Sequence, residues 1–201
     1  MLGSGDGRQP GRRRPARDPR LTLRPMTRAD LGWLTALHGD AAVMRYIDDG
    51  QPVPAQVVAA RTLPGILTEY DRRPAGLGCF AAVPRGGGPV GWLALRPPSS
   101  TGLEQEQEQG TAELGYRLFP AAWGHGYATE AARALVRHAF TVAEADRLVA
   151  TTMTVNARSR RVLQKAGLRL VRTFYAQWPG YLAGAEYGDV FYALDRRDWP
   201  G

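Results

Sequence analysis

At 201 residues and 44% apolar, the chain has material for one domain with a buried core, and its ordinary soluble composition argues against a membrane-embedded protein. A single cysteine, Cys79, excludes an intramolecular disulfide and favours a reducing, cytoplasmic setting. The net charge of +7 suggests nucleic acid at first sight, but much of it lies in the opening segment through Arg20. Lys165 is the only lysine, so the arginine excess reads as genomic base bias.

Residues 1–19 are rich in Gly, Pro and Arg without a hydrophobic period, which predicts a disordered tail ahead of one domain over 20–201. Arg12, Arg13 and Arg14 lack the apolar run of an export signal. Such a tail also suits salt-sensitive contact with RNA or a ribosome surface, a reading second to plain solvation. Leu21 and Leu23 alternate with Thr22 and Arg24 in a strand ended by Pro25. Thr27 and Asp30 form a capping box with Asp in place of Glu, and Leu31, Leu34 and Leu37 give the stripe of a first helix. Beyond the Asp48-Asp49-Gly50 turn, Ala55 to Tyr70 reads as helical with an interruption at Pro64-Gly65. Leu77–Val83 and Val90–Leu95 make a hairpin around Pro84–Pro89. The Glu/Gln repeat over Glu104–Gln109 reads as a solvated loop before a device for steering a cation.

The chain's organising stretch follows. Ala112, Leu114, Tyr116 and Leu118 alternate with Glu113, Gly115, Arg117 and Phe119 until Pro120 stops the ladder. After the turn Trp123-Gly124-His125-Gly126-Tyr127-Ala128-Thr129, Ala128, Ala132, Leu135, Val136 and Ala139 recur at helical spacing. A strand, a glycine-rich turn and a helix point unpaired amide N–H groups and a positive dipole end at an anionic ligand. No Gly-Lys-Ser/Thr closes the turn, and Thr129 stands where a dinucleotide fingerprint needs glycine, so neither a P-loop nor NAD fits. Leu148–Met153 is a further strand, Asn156 caps a helix buried through Val162, Leu163 and Ala166, and Gly167 ends it. Leu168, Leu170 and Phe174, then Val190, Tyr192 and Leu194, supply the last strands. The expected class is α/β (α+β), with a mixed, mostly antiparallel sheet of about six to seven strands and helices on both faces.

The run from Ala112 to Ala131 and the block Asn156 to Leu168 together resemble the GNAT superfamily of acyl-CoA-dependent N-acetyltransferases, most closely the branch of the ribosomal-protein N-terminal acetyltransferases. Trp123, Gly126 and Ala128 occupy the three marked positions of that family's pyrophosphate turn, with Trp123 departing from its usual Gln or Arg. Asn156, Ser159, Val162, Lys165 and Gly167 match its second block. The resemblance implies a single-domain GNAT fold with the fourth and fifth strands splayed apart. Acetyl-CoA is then the cosubstrate, its pyrophosphate on the amides of Gly124 to Thr129 and its pantetheine arm along the strand near Leu118 and Phe119. It also implies an acceptor pocket lined by the first helix, the following loop and the second helical stretch.

Acetyl transfer to an amine needs a proton acceptor, a stabilised oxyanion and an acid for the leaving thiolate. Glu113 is the candidate base, directly or through water, with Glu186 a weaker second and a structural salt bridge the plainer reading. An α-amine of pKa ~8 makes a smaller demand on one carboxylate than a lysine at ~10.4. The family's tyrosine acid is replaced by Leu163, which cannot donate a proton, so Ser159 is the candidate acid, with Asn156 assigned to the coenzyme arm. Tyr46, Trp178 and Tyr181 are candidate acceptor contacts against core or surface packing. The three histidines have no metal spacing with one another or with Cys79, and no G-x-S-x-G turn supports a serine triad, so no metal is expected. The reading is an N-acetyltransferase acting on a peptide α-amine or small-molecule amine, as monomer or homodimer. The rival is a noncatalytic acyl-CoA sensor or docking module.

Overall fold

The alternating segments assemble into one seven-stranded sheet in a computed structural model that describes residues 20–72, 76–99, 103, 109–175 and 182–201. Its strands are β1 Leu21–Pro25, β2 Gly78–Pro84, β3 Gly91–Arg96, β4 Thr111–Leu118, β5 Arg147–Met153, β6 Arg169–Phe174 and β7 Asp189–Asp195. The order is β1-β2-β3-β4-β5-β7-β6, and of the neighbouring pairs β4 and β5 alone run parallel. The mixed, mostly antiparallel sheet expected from the pattern is thus present. The tail over 1–19 and positions 104–108 of the Glu/Gln repeat lie outside the described residues.

One face of the sheet is covered by α5 (Tyr127–Thr141) and α6 (Ala157–Ala166). Ala131, Ala132, Leu135, Val136, Ala139 and Phe140 of α5 meet Leu93, Leu95, Leu114 and Leu148 of the strands in the larger core. Truncating a residue such as Leu135 to alanine there costs roughly 3 kcal/mol. The opposite face carries α1 (Leu31–His38), α2 (Ala41–Met44), α3 (Ala55–Val57) and α4 (Leu63–Arg72), whose Leu34, Leu37, Val43 and Leu63 pack on Ala81, Trp92 and Ala94.

The start of α1 is fixed to β1 through Asp30. The Thr27 amide donates to Asp30 Oδ2 at 2.7 Å, the Arg24 guanidinium forks onto both carboxylate oxygens at 2.8 and 2.6 Å, and Trp33 Nε1 donates at 2.7 Å. The Arg24 hydrogen bonds above all hold this buried carboxyl well below the usual carboxylate range. With that end fixed, the other end of α1 delivers His38 to the centre of the sheet, against Trp92 of β3.

Two local expectations need correction. Pro64-Gly65 does not interrupt the second helical stretch: a π-turn over Val58–Thr62 widens the helix ahead of Pro64, and α4 runs on to Arg72. The short helix α2, absent from the sequence reading, is capped by Asp40 Oδ1, which accepts from the amides of Ala42 and Val43 at 2.8 and 3.2 Å.

Candidate active site

Strands β4 and β5 are in register only at Thr111↔Arg147, Ala112↔Leu148 and Glu113↔Val149. Beyond that point β5 follows β7 as far as Met153, while β4 stays with β3 to its end. Leu114 to Leu118 therefore have a strand on one side and a gap on the other, the splay implied by the resemblance. The Phe119 amide donates to Val90 O at 2.9 Å, which makes the odd-numbered residues of β4 the ones bonded to β3. The main-chain groups of Leu114, Tyr116 and Leu118 consequently face the gap. Trp123 Nε1 takes the Leu118 carbonyl at 2.8 Å and ties the turn to the strand end.

At that turn Gly124 and Gly126 have φ of +79° and +82°, a region in which side chains are strained. A Cβ on Gly124 would meet nothing within 4 Å, so this surface is open to a close approach. Gly126 caps α5 without a side-chain partner for the helix's first amides, and Tyr127, Ala128 and Thr129 open the helix. An anion fits this cradle. Arg20, which the sequence reading left in the tail's margin, lies against it. Its guanidinium donates to His125 O at 3.2 Å, pairs with Glu130 at 2.8 Å and covers the Tyr127 ring at 5.0 Å. The His125 side chain is exposed, with Nδ1 2.9 Å from Trp123 O. Beside the turn, rather than in the gap, runs a groove of about 370 Å³ lined by Pro84, Val90, Phe119, His125 and Tyr127 among others.

Across the gap stands the N-terminus of α6. Asn156 Oδ1 accepts the Ser159 amide at 3.1 Å, so the capping role is present. Ser159 Oγ lies 2.8 Å from the hydroxyl of Tyr116, a β4 residue that the sequence reading passed over as a strand position. Burial pushes the Tyr116 hydroxyl far above its ordinary pKa, which keeps it protonated. Leu163 is buried in the core between α6 and the sheet.

The other face of β4 presents Glu113, Gly115 and Arg117. Glu113 is buried where the strands part. Its oxygens meet Arg96 at 3.2 and 3.3 Å and accept the Ser99 amide at 2.9 Å. Arg117 reaches His38 Nδ1 at 3.2 Å and Asp48 at 3.7 Å, and lies 5.4 Å from the Trp92 ring centre. Tyr46 is half-buried in the loop after α2, under the Arg45 guanidinium. Glu186 is exposed and accepts the amide of Gly184 in its own turn at 3.0 Å. Trp178 and Tyr181 lie outside the described residues. Among the described residues no three His, Cys, Asp or Glu side chains are grouped to hold a metal ion.

A splayed parallel pair with a glycine turn at the head of the next helix is the arrangement that the resemblance to acyl-CoA-dependent transferases implied, and comparison with known proteins agrees. The Acetyltransferase (GNAT) domain family matches residues 20–169. The chain is 31% identical over 181 residues to the FsC-acetyl coenzyme A-N(2)-transacetylase of Aspergillus fumigatus, covering 90% of this chain and 75% of that one. Among solved structures, Mycobacterium smegmatis RimJ in complex with CoA-disulfide superposes with a TM-score of 0.71 at 20% identity, over 90% of this chain and 84% of that one. The spermidine N-acetyltransferase of Vibrio cholerae, in complex with CoA and spermine, does so with 0.70 at 16% identity, over 90% and 98%. The chain belongs to the GNAT acetyltransferase family, and its activity is transfer of an acetyl group from acetyl-CoA to an amine.

Proposed function

We propose that residues 20–201 act as one N-acetyltransferase domain in the cytoplasm, with the two sides of β4 dividing the chemistry between donor and acceptor. The observation that carries this is the parting of β4 from β5 immediately after Glu113, which leaves the Tyr116 and Leu118 main chain facing the gap with Ser159 on its far side. The pyrophosphate lies on the amides of Gly124 to Thr129, with Arg20 swinging from the His125 carbonyl to a phosphate oxygen. The pantetheine follows β4, Trp123 and Phe119 support it at the turn, and Asn156 meets the arm while capping α6.

In the transfer itself the neutral amine attacks the thioester carbon, and the amide N–H of Leu118 faces the oxyanion. As the tetrahedral intermediate collapses, the carbon–sulfur bond breaks and Ser159 passes its proton to the thiolate, its oxygen being reprotonated from water as Glu113 returns the amine's proton to solvent. Tyr116 O–H then donates to Ser159 Oγ. The proton lost by the amine passes through water to Glu113. Because both Glu113 oxygens are engaged by Arg96 and Ser99, the water relay suits it better than direct contact. Tyr46 borders the acceptor side.

The test is calorimetric titration with acetyl-CoA, followed by free-thiol release over a panel of amines and N-terminal peptides. Binding with amine-dependent release supports the transferase. Binding with release on no amine would favour the sensor, and absence of binding would remove the turn from the site.

A further inference from the structure

On the face of β4 that carries Glu113 and Arg117, two donors among the described residues share one imidazole. Trp92 Nε1 lies 3.3 Å from His38 Nε2, while the Arg117 guanidinium lies 3.2 Å from Nδ1 of the same ring. An indole N–H and a guanidinium only donate. His38 is buried and neutral at pH 7, its pKa pushed down to about 4 by burial and then by Arg117. A neutral imidazole has one hydrogen and one lone pair, so whichever tautomer forms, one of its two neighbours faces an N–H. If Nε2 accepts from Trp92, the His38 Nδ1–H and the guanidinium lie side by side, and among the described residues the acceptors that meet that guanidinium besides the ring are Met44 Sδ and the distant Asp48.

The other partners of Arg117 are weak. Met44 Sδ lies at 3.5 Å, and Asp48 lies at 3.7 Å on an exposed turn, with a left-handed φ of 53°. At 3.7 Å, with the Asp48 carboxylate solvated, the pair is too long for a charge-assisted hydrogen bond. It does show that a carboxylate reaches the guanidinium from the solvent side. Arg96 adds a second positive charge on this face, and the buried acid close to it, Glu113, is already paired with Arg96. Arg117 belongs to the part of β4 beyond the last β5 partner and immediately precedes Leu118.

We infer that Arg117 and His38 bind the carboxylate of the acceptor in place of Asp48, so that the acceptor is a small amino acid rather than a polyamine or a carboxyl-free amine. This rests on the transferase reading above and names the substrate class for the same site. A polycation such as the spermine held by the structural neighbour from Vibrio cholerae would meet the like charge of the Arg117 guanidinium and find Glu113 already paired with Arg96.

Two measurements on the full chain test it. Thiol release is compared between amino acids and their carboxamides, and the His38 ring resonances are followed while propionate is added at millimolar concentration, with chloride as control. We expect kcat/KM for the acids to exceed that for the amides by at least ~10-fold, because charge-assisted hydrogen bonds are lost in the amide. Propionate should shift His38 in the wild type and not in Arg117→Gln. Asp48→Asn, a change at an exposed side chain, should lower KM for the acid by up to about fivefold. Equal rates on acids, amides and spermine, or a His38 resonance indifferent to propionate, would overturn the inference while leaving the transferase standing. A propionate response with no thiol release on any amine would support the anion site and count against the transferase instead.

Discussion

The two faces of β4 handle polar groups in opposite ways. Toward α5 and α6, Tyr116 and Ser159 are neutral and satisfy each other, and the surrounding residues are apolar. Toward α1 to α4, Glu113 and Arg117 carry charge, and among the described residues the carboxylate that meets Arg117 is the long contact to Asp48. A pleated strand makes this division possible because successive side chains point to opposite sides while the main chain between them serves both. In the mechanism proposed above, the eight residues of β4 would support the thioester with their backbone, assist the leaving group from one face and receive the amine at the other.

The largest effect is expected where donor binding depends on bare backbone. Gly126→Glu combines a strained left-handed residue with a carboxylate among the first amides of α5. Acetyl-CoA affinity measured by calorimetry should fall by more than ~100-fold, since like charges brought together cost several kcal/mol. Unchanged affinity would detach the turn from the coenzyme.

The charged face should reveal itself in stability. His38 has a folded pKa of about 4 against an ordinary value of 6.5. Its depression means that the unfolded chain takes up a proton first as pH falls. The stabilisation is complete above pH 6.5, is lost progressively down to about pH 4, and is flat below that. The total is roughly 3 kcal/mol, read as the slope of denaturation midpoints against pH, and His38→Gln should flatten it. A slope unaffected by that change would mean that the ring titrates freely.

Glu113→Gln sharpens the same comparison. If Glu113 receives the amine's proton, kcat should drop by about 30-fold with acetyl-CoA affinity nearly intact, since general-base contributions are of order 10²-fold and water retains part of the task. Stability should fall too, because Arg96 loses its buried counter-charge. Wild-type turnover in a destabilised variant would leave Glu113 as the partner of Arg96 and nothing more.

How much of this was legible beforehand follows the range of the interactions. The β4 alternation, the glycine-rich turn, the period of α5 and the Asn156 cap are local features, and each appears where the pattern put it. The four-residue helix α2 is too short to show a period. The π-turn ahead of Pro64 is an adjustment of backbone that composition does not encode. Leu170 reads as a strand residue, and it is one, but β6 is the sheet edge and a register shift beside it leaves the side chain about half exposed. His38 and Arg117 meet across 79 residues, and Tyr116 and Ser159 across 43, so neither pair has a signature in any window of sequence. One cue was available for Tyr116: the alternation of β4 puts it between Leu114 and Leu118 on the face turned toward the helices, where a buried hydroxyl needs a partner.

That cue leads to the smallest and most discriminating change, Tyr116→Phe. The phenol touches Ser159 twice, at Oγ and at the main-chain oxygen 3.1 Å away, and it does not titrate near neutrality. Its loss should leave the fold and acetyl-CoA affinity little altered, and lower kcat by only about threefold to tenfold, the worth of one hydrogen bond between neutral groups. Ser159→Ala should lower kcat further, and the double variant should be no slower than Ser159→Ala, since Tyr116 acts through the hydroxyl that is then absent. A poorer leaving thiol needs the acid more, so a coenzyme analogue with a better leaving group should restore both single variants toward wild type. If Tyr116→Phe slowed the double variant as much as it slows the wild type, the pair would not be a relay, and Tyr116 would matter only as packing between β4 and α6.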